Sequence, residues 1–219
     1  MPPDLASCPL VLVYGGTFDP PHTAHVRQPD RVRRAINADA VIYMPAAVSP
    51  HKQHLEQTPP DHRLAMLRLA TADQPWAIVR TDELDRAARD GKPSYTVDTL
   101  EALRAELPDT TRLRLLIGAD QLRAFHDWYR ADRIVELAEP LVMVRPPDKV
   151  RTVLNALPQE QRATWRPRLV SIEPMDVSST AIRTAIRTGA PTAGLINPAV
   201  ADYIRDHGLY HDTPAAAGT

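Results

Sequence analysis

The chain has 219 residues, enough for one domain of generous size with a true hydrophobic core. Its 22 prolines against 8 glycines exclude collagen-like and low-complexity chains, and 26 basic against 27 acidic residues, a net charge of −1, leave no global basic field to hold a nucleic-acid backbone. No apolar run approaches the roughly 20 residues of a membrane span, and the single cysteine, Cys8, permits no intrachain disulfide. These features point to a cytoplasmic protein with neither nucleic acid nor membrane as partner.

In chain order, short buried-strand patterns alternate with helical periods. Leu10 to Tyr14 is a continuous apolar strand, ended by Gly15-Gly16, after which a helix opens near Thr23. Val41 to Met44 is the second strand, followed by a helix from about Asp61 with Leu64, Met66, Leu67 and Ala70 on one side. Trp76 to Val79 is the third, followed by a helix carrying Val97, Leu100 and Leu103. Leu113 to Ile117 is the fourth, with helical Gln121 to Phe125 and Ala131 to Leu137 behind it. Leu141 to Val144 and a helix from about Asp148 to Leu157 come next. Leu169 to Ile172 is the sixth strand, before helices at Thr180 to Thr188 and Pro198 to His207. Asn197 and Pro198 suit the start of the last helix and Gly208 its end.

Six strands interleaved with helices predict an α/β, Rossmann-like doubly wound fold: a mostly parallel sheet with helices on both faces. Residues 9–211 form one domain in this reading, with 1–8 and 212–219 as flexible ends. Ligands of such sheets bind outside the carboxyl ends of the strands. The polar, unusual segments fall there: 15–25, 49–54, 93–96, 118–128 and 176–183.

The first of these is Gly15-Gly16-Thr17-Phe18-Asp19-Pro20-Pro21-His22-Thr23-Ala24-His25. Two glycines after a buried strand let backbone approach a ligand closely, and two histidines three apart share a face at the positive end of a helix, an arrangement suited to polyphosphate. Pro29 would remove a hydrogen bond to the His25 carbonyl and predicts a kink. In Asp176-Val177-Ser178-Ser179-Thr180-Ala181-Ile182-Arg183, hydroxyls and free amides open a helix and Arg183 follows one turn on, so donors for a triphosphate collect in the same crevice. Lys52, one of three lysines, stands on the loop after the second strand. His51 and His54 repeat the HxxH spacing of His22 and His25, but with one cysteine and no HExxH pattern no zinc site is expected.

The first segment resembles the GTFDPxHxGH signature of the nucleotidyltransferase superfamily, with Ala24 where that signature has Gly; the second resembles its ISSTxIR motif, with Val177 for Ile. Ser94-Tyr95-Thr96-Val97-Asp98-Thr99-Leu100 and Gly118-Ala119-Asp120-Gln121-Leu122, with Phe125 and Trp128, are similar to the SYTxDTL and GxDxLxxFxxW segments of bacterial nicotinate mononucleotide adenylyltransferases. The resemblance spans roughly residues 10–211 and includes Arg145-Pro146 and the stretch from Ile196 to Tyr210.

It implies adenylyl transfer from ATP to nicotinate mononucleotide, giving deamido-NAD and pyrophosphate. His25, His22, Lys52 and Arg183 would be the catalytic groups. Gly15, Gly16, Thr17, Phe18, Gly118, Asp120, Ser178, Ser179 and Thr180 would contact ATP. Asp19, Tyr95, Thr96, Trp128 and Tyr129 would contact the acceptor, while Phe125 packs in the core. Mg2+ would arrive on ATP, with no metal held by protein ligands, and a homo-oligomer is compatible with this reading. The alternatives are another phosphorylated acceptor, such as nicotinamide mononucleotide or pantetheine phosphate, and a non-catalytic nucleotide-binding protein.

Overall fold

The computed structural model describes residues 3–47, 57–91, 95–144 and 149–211. Its strands are β1 (Leu10–Gly16), β2 (Ala40–Pro45), β3 (Ala77–Val79), β4 (Arg112–Gly118), β5 (Glu139–Val144) and β6 (Leu169–Ser171). They lie in the order β3-β2-β1-β4-β5-β6, and every neighbouring pair is parallel. The sheet is therefore wholly rather than mostly parallel. Its order reverses direction between β1 and β4, which opens a crevice at their carboxyl ends.

Strand β1 is central because both of its faces are covered. Val11 and Val13 face one side with Ile42, Met44, Leu115 and Ile117, while Leu10 and Leu12 face the other with Val41, Tyr43 and Leu116. Leu12 is wholly inaccessible to solvent, and each such side chain contributes roughly 1.5–3 kcal/mol by leaving water. The strand continues through Gly15 and Gly16, which pair with Met44 and Pro45. The glycines thus extend the strand instead of ending it, because backbone pairing with β2 persists where side chains stop.

Helices α1 (Thr23–Ala35) and α2 (Pro60–Thr71) follow β1 and β2. Helix α1 continues through the buried Pro29, which has no N–H to donate to the His25 carbonyl. Helices α3 (Asp82–Asp90) and α4 (Thr96–Glu106) come between β3 and β4, where the sequence predicts only the second. Helix α3 has one buried side chain, Leu84, so it lacks an apolar stripe; its signals are Asp82, Glu83 and Asp85 in the first turn and Gly91 at φ +63° after the last.

After β4 come α5 (Ala119–Arg123) and α6 (Ala131–Leu137), then α7 (Val150–Asn155) and α8 (Gln159–Trp165) after β5. The helix predicted over 148–157 is thus shorter, and α8, which buries only Trp165, has no counterpart in the sequence pattern. The chain closes with α9 (Ser179–Thr188) and α10 (Pro198–Asp206). Asn197 caps α10 by accepting from the Ala199 amide at 2.9 Å, and Pro198 takes its first turn. Helices α2, α9 and α10 pack on one another through Met66, Ala70, Ile182, Val200 and Ile204. At the other end, residues 5–7 form a helical turn that the Asp4 side chain caps, and Cys8 is buried in the core.

Candidate active site

The turn after β1 places its residues by means the sequence alone conceals. Phe18 takes φ +52° and is 1 % exposed, its ring edge-on to His25 with centroids 5.1 Å apart. A Cβ on Gly16 would lie 2.9 Å from that ring, so only glycine lets Phe18 fold beneath the turn. His22 stands at the N-cap of α1, and its ring stacks on His25 with centroids 3.6 Å apart and planes 18° apart. The His22 amide donates to His25 Nδ1 at 3.2 Å, and the His25 amide donates to the His22 carbonyl at 2.9 Å. With Nδ1 as the acceptor, Nε2–H is the ring's donor. Ala24 is buried beside them.

The second motif bonds onto this same turn. Ser179 Oγ donates to the Pro20 carbonyl at 2.8 Å, and Arg183 Nη1 donates to the Asp19 carbonyl at 2.7 Å. Ser178 is the N-cap of α9, its hydroxyl accepting from the Ala181 amide at 3.1 Å. Thr180 is exposed, and its Oγ1 is 3.4 Å from Arg183 Nη2. Residues 19–20, which lead into His22, and residues 179–183, far apart in sequence, therefore meet beyond the carboxyl end of β1.

On the other side of the switch point, Gly118 ends β4 and its amide donates to Gln121 Oε1 at 2.9 Å. A Cβ there would fall 2.4 Å from Asp120 Oδ1, so Asp120 folds over a position only glycine can occupy. Tyr95 and Tyr129 are the exposed large aromatics, their rings 4.8 Å apart, and Thr96 opens α4 beside Tyr95. Trp128 is half-buried against Phe125 at 5.3 Å and packs on the core; Phe125 is a core residue, as expected. Lys52, His51, His54, Ser94, Arg145 and Pro146 lie outside the described residues.

Asp19, expected at the acceptor, is 7 % exposed. Its Oδ1 accepts from the Tyr210 hydroxyl at 2.6 Å and its Oδ2 from the Thr58 amide at 3.1 Å. Arg63 is a second internal feature, and sequence reasoning passed it over. It is 1 % exposed on α2, with Nε donating to the Thr58 carbonyl at 3.0 Å, Nη1 to Thr17 and Ala46 at 2.8 Å each, and Nη2 to Ala47 at 3.2 Å. Burial lowers its guanidinium's affinity for its proton, and nearby Asp19 opposes that shift. Among the described residues no group of three or more His, Cys, Asp or Glu side chains is arranged to hold a metal ion.

The cytidylyltransferase-like family model matches residues 13–185, a span that contains both motifs. A probable nicotinate-nucleotide adenylyltransferase of Dehalococcoides mccartyi is 35% identical over 202 residues, covering 90% of this chain and 95% of that protein. Another, of Stenotrophomonas maltophilia, is 37% identical over 216 residues, covering 92% and 96%. The fold is similar to that of the Plasmodium falciparum nicotinic acid mononucleotide adenylyltransferase complexed with NaAD, at a TM-score of 0.70 and 18% identity, covering 92% of this chain and 97% of that one. On both the family model and these relatives, the chain belongs to the nicotinate-nucleotide adenylyltransferase family of cytidylyltransferase-like proteins.

Proposed function

We propose that the protein transfers the adenylyl group of ATP to nicotinate mononucleotide, forming deamido-NAD and pyrophosphate. The observation that carries this reading is the stacked His22–His25 pair at the start of α1, with Ser179 and Arg183 bonded onto the same turn. A helix start bearing two imidazoles, with a guanidinium beside it, suits a polyphosphate. The names of relatives at 35% and 37% identity support the same substrates.

The acceptor's phosphate oxygen attacks the α-phosphorus in line, a new P–O bond forms, and the bond to the β-phosphate oxygen breaks to release pyrophosphate. Because a phosphate anion is already nucleophilic, the protein has to supply position and charge rather than a covalent intermediate. His25, as an Nε2–H donor, would stabilise the α-phosphate oxygens as charge moves. His22, Lys52, Ser179 and Arg183 would hold the β- and γ-phosphates. Gly15, Gly16, Thr17 and Phe18 would shape the approach of ATP, with Gly118 and Asp120 bordering the adenosine. Magnesium arriving on ATP would neutralise charge on the leaving pyrophosphate.

Tyr95, Thr96, Trp128 and Tyr129 would surround the pyridine ring. Neutral donors suit its carboxylate, whereas an amide would set N–H against N–H, at a cost of about 1–3 kcal/mol for each unpaired donor. Two such mismatches give a preference for the acid of order 10²-fold in kcat/KM. Pyrophosphate release from ATP, measured with nicotinate mononucleotide, nicotinamide mononucleotide and phosphopantetheine in parallel, tests both statements. Release with none of them overturns the reading, and equal rates with acid and amide overturn the donor argument alone.

A further inference from the structure

The first motif is tied to the end of the fold. After α10 the chain passes through Gly208 at φ +60° and Tyr210 at φ +67°, a conformation that a bulky residue seldom adopts. The turn brings the Tyr210 hydroxyl to 2.6 Å from Asp19 Oδ1, and 3.9 Å from Met66 Sδ on α2. Three connections then converge on Asp19. Tyr210 and Thr58 donate to its two carboxylate oxygens, and Arg183 donates to its carbonyl. The next residues on the chain lead directly to Pro20, whose carbonyl accepts from Ser179, and to His22.

We propose that Tyr210 is a positioning residue of the nucleotide site: its hydroxyl, acting through the Asp19 carboxylate, fixes the turn that presents His22 and the carbonyl that holds Arg183. This rests on the adenylyl-transfer reading above. Two features separate this role from packing. The ring and neighbouring Leu209 already pack against the α2–α9–α10 cluster, so the hydroxyl is not needed to fill that space. A short bond from a hydroxyl to a carboxylate is also charge-assisted and directional, and it constrains the acceptor more than apolar contact does. Burial, followed by the bond to Asp19, holds the phenol well above its ordinary titration range, so it remains a donor wherever the protein is folded. The assignment also gives Asp19 a place inside the turn.

The test compares wild type, Tyr210→Phe, Asp19→Asn and the double variant by steady-state pyrophosphate release, varying ATP and nicotinate mononucleotide separately, with a thermal melt of each. Phe keeps the ring and deletes the hydroxyl. Tyr210→Phe should lower kcat about tenfold, less than the ~10² that a 1 Å misplacement can cause, while leaving the KM for nicotinate mononucleotide within about twofold. If Tyr210 acts through Asp19, the double variant should be no worse than Asp19→Asn alone. Unchanged kinetics in Tyr210→Phe, whatever its melting temperature, overturn the proposal, and so do multiplicative losses in the double variant. A Tyr210→Phe protein that does not fold overturns it too, by making the hydroxyl a requirement of the fold. Absence of turnover in the wild type instead overturns the functional reading, and this is seen before any variant is compared.

Discussion

Replacing Arg63 by Met should be among the most destabilising single changes in the chain. The methionine stem retains most of the aliphatic volume on α2, but the guanidinium's bonds to the carbonyls of Thr17, Ala46, Ala47 and Thr58 vanish, at a site 1 % exposed. A hydrogen bond from a charged donor is worth about 1.5–3 kcal/mol net, yet four do not add, because removing the charge also removes its desolvation penalty. The four carbonyls left without this donor, at about 1–3 kcal/mol for each unsatisfied buried group and with part recovered by relaxation and water, set the loss at about 3–5 kcal/mol. Against a total stability of about 5–15 kcal/mol, that is a large share. In urea, at a slope of about 2 kcal/mol/M, the midpoint should fall by roughly 1.5–2.5 M with the slope unchanged. Arg63→Lys, which keeps the charge but cannot span four acceptors, should fall between Met and wild type. A loss below about 1 kcal/mol in Arg63→Met would mean that the carbonyls find other donors, and would refute the reasoning.

His25→Ala should lower kcat by roughly 10²–10³, the range for one preorganised donor, with a smaller effect on the KM for ATP; near-normal kcat in steady-state pyrophosphate release would remove His25 from the transition state. Tyr129→Ala should raise the acceptor KM with little change in melting temperature, because Tyr129 is 55% exposed, whereas Trp128→Ala should lower the melting temperature as well, since Trp128 packs on Phe125. The Glu83 carboxyl, to which Thr99 Oγ1 donates at 3.2 Å, is pushed up to about 7 by burial. Because the folded value lies above the unfolded one, stability from this group is complete below about pH 4.5 and is lost as pH rises through 7. Relative to Glu83→Gln, wild type should therefore lose about 1–3 kcal/mol between pH 4.5 and 7.5 in urea titrations; parallel pH profiles would show that the carboxyl ionises freely in the folded state.

What the sequence makes legible follows from how each interaction is encoded. The strands of the sheet announce themselves because both faces are covered, so Leu10 to Val13 or Leu141 to Val144 are continuous apolar runs. The two motifs do so because glycine, histidine, serine and arginine stand close together in chain. Helices α3 and α8 escape because each buries a single apolar residue, Leu84 and Trp165, too few to mark a core-facing side in the sequence. The ties that hold the active-site turn escape for another reason. Arg63 bonds only to backbone carbonyls, which have no identity in a sequence, and Tyr210 meets Asp19 across 191 residues. A trace of Arg63 is nevertheless present: it lies on the face of α2 that carries Met66, Leu67 and Ala70, all buried. A guanidinium at an apolar-face position must find acceptors inside the protein, because leaving it buried and unpaired would cost several kcal/mol. A cation in register with an apolar stripe therefore signals a backbone-anchoring residue, and here its acceptors include Thr17 of the motif that presents His22 and His25.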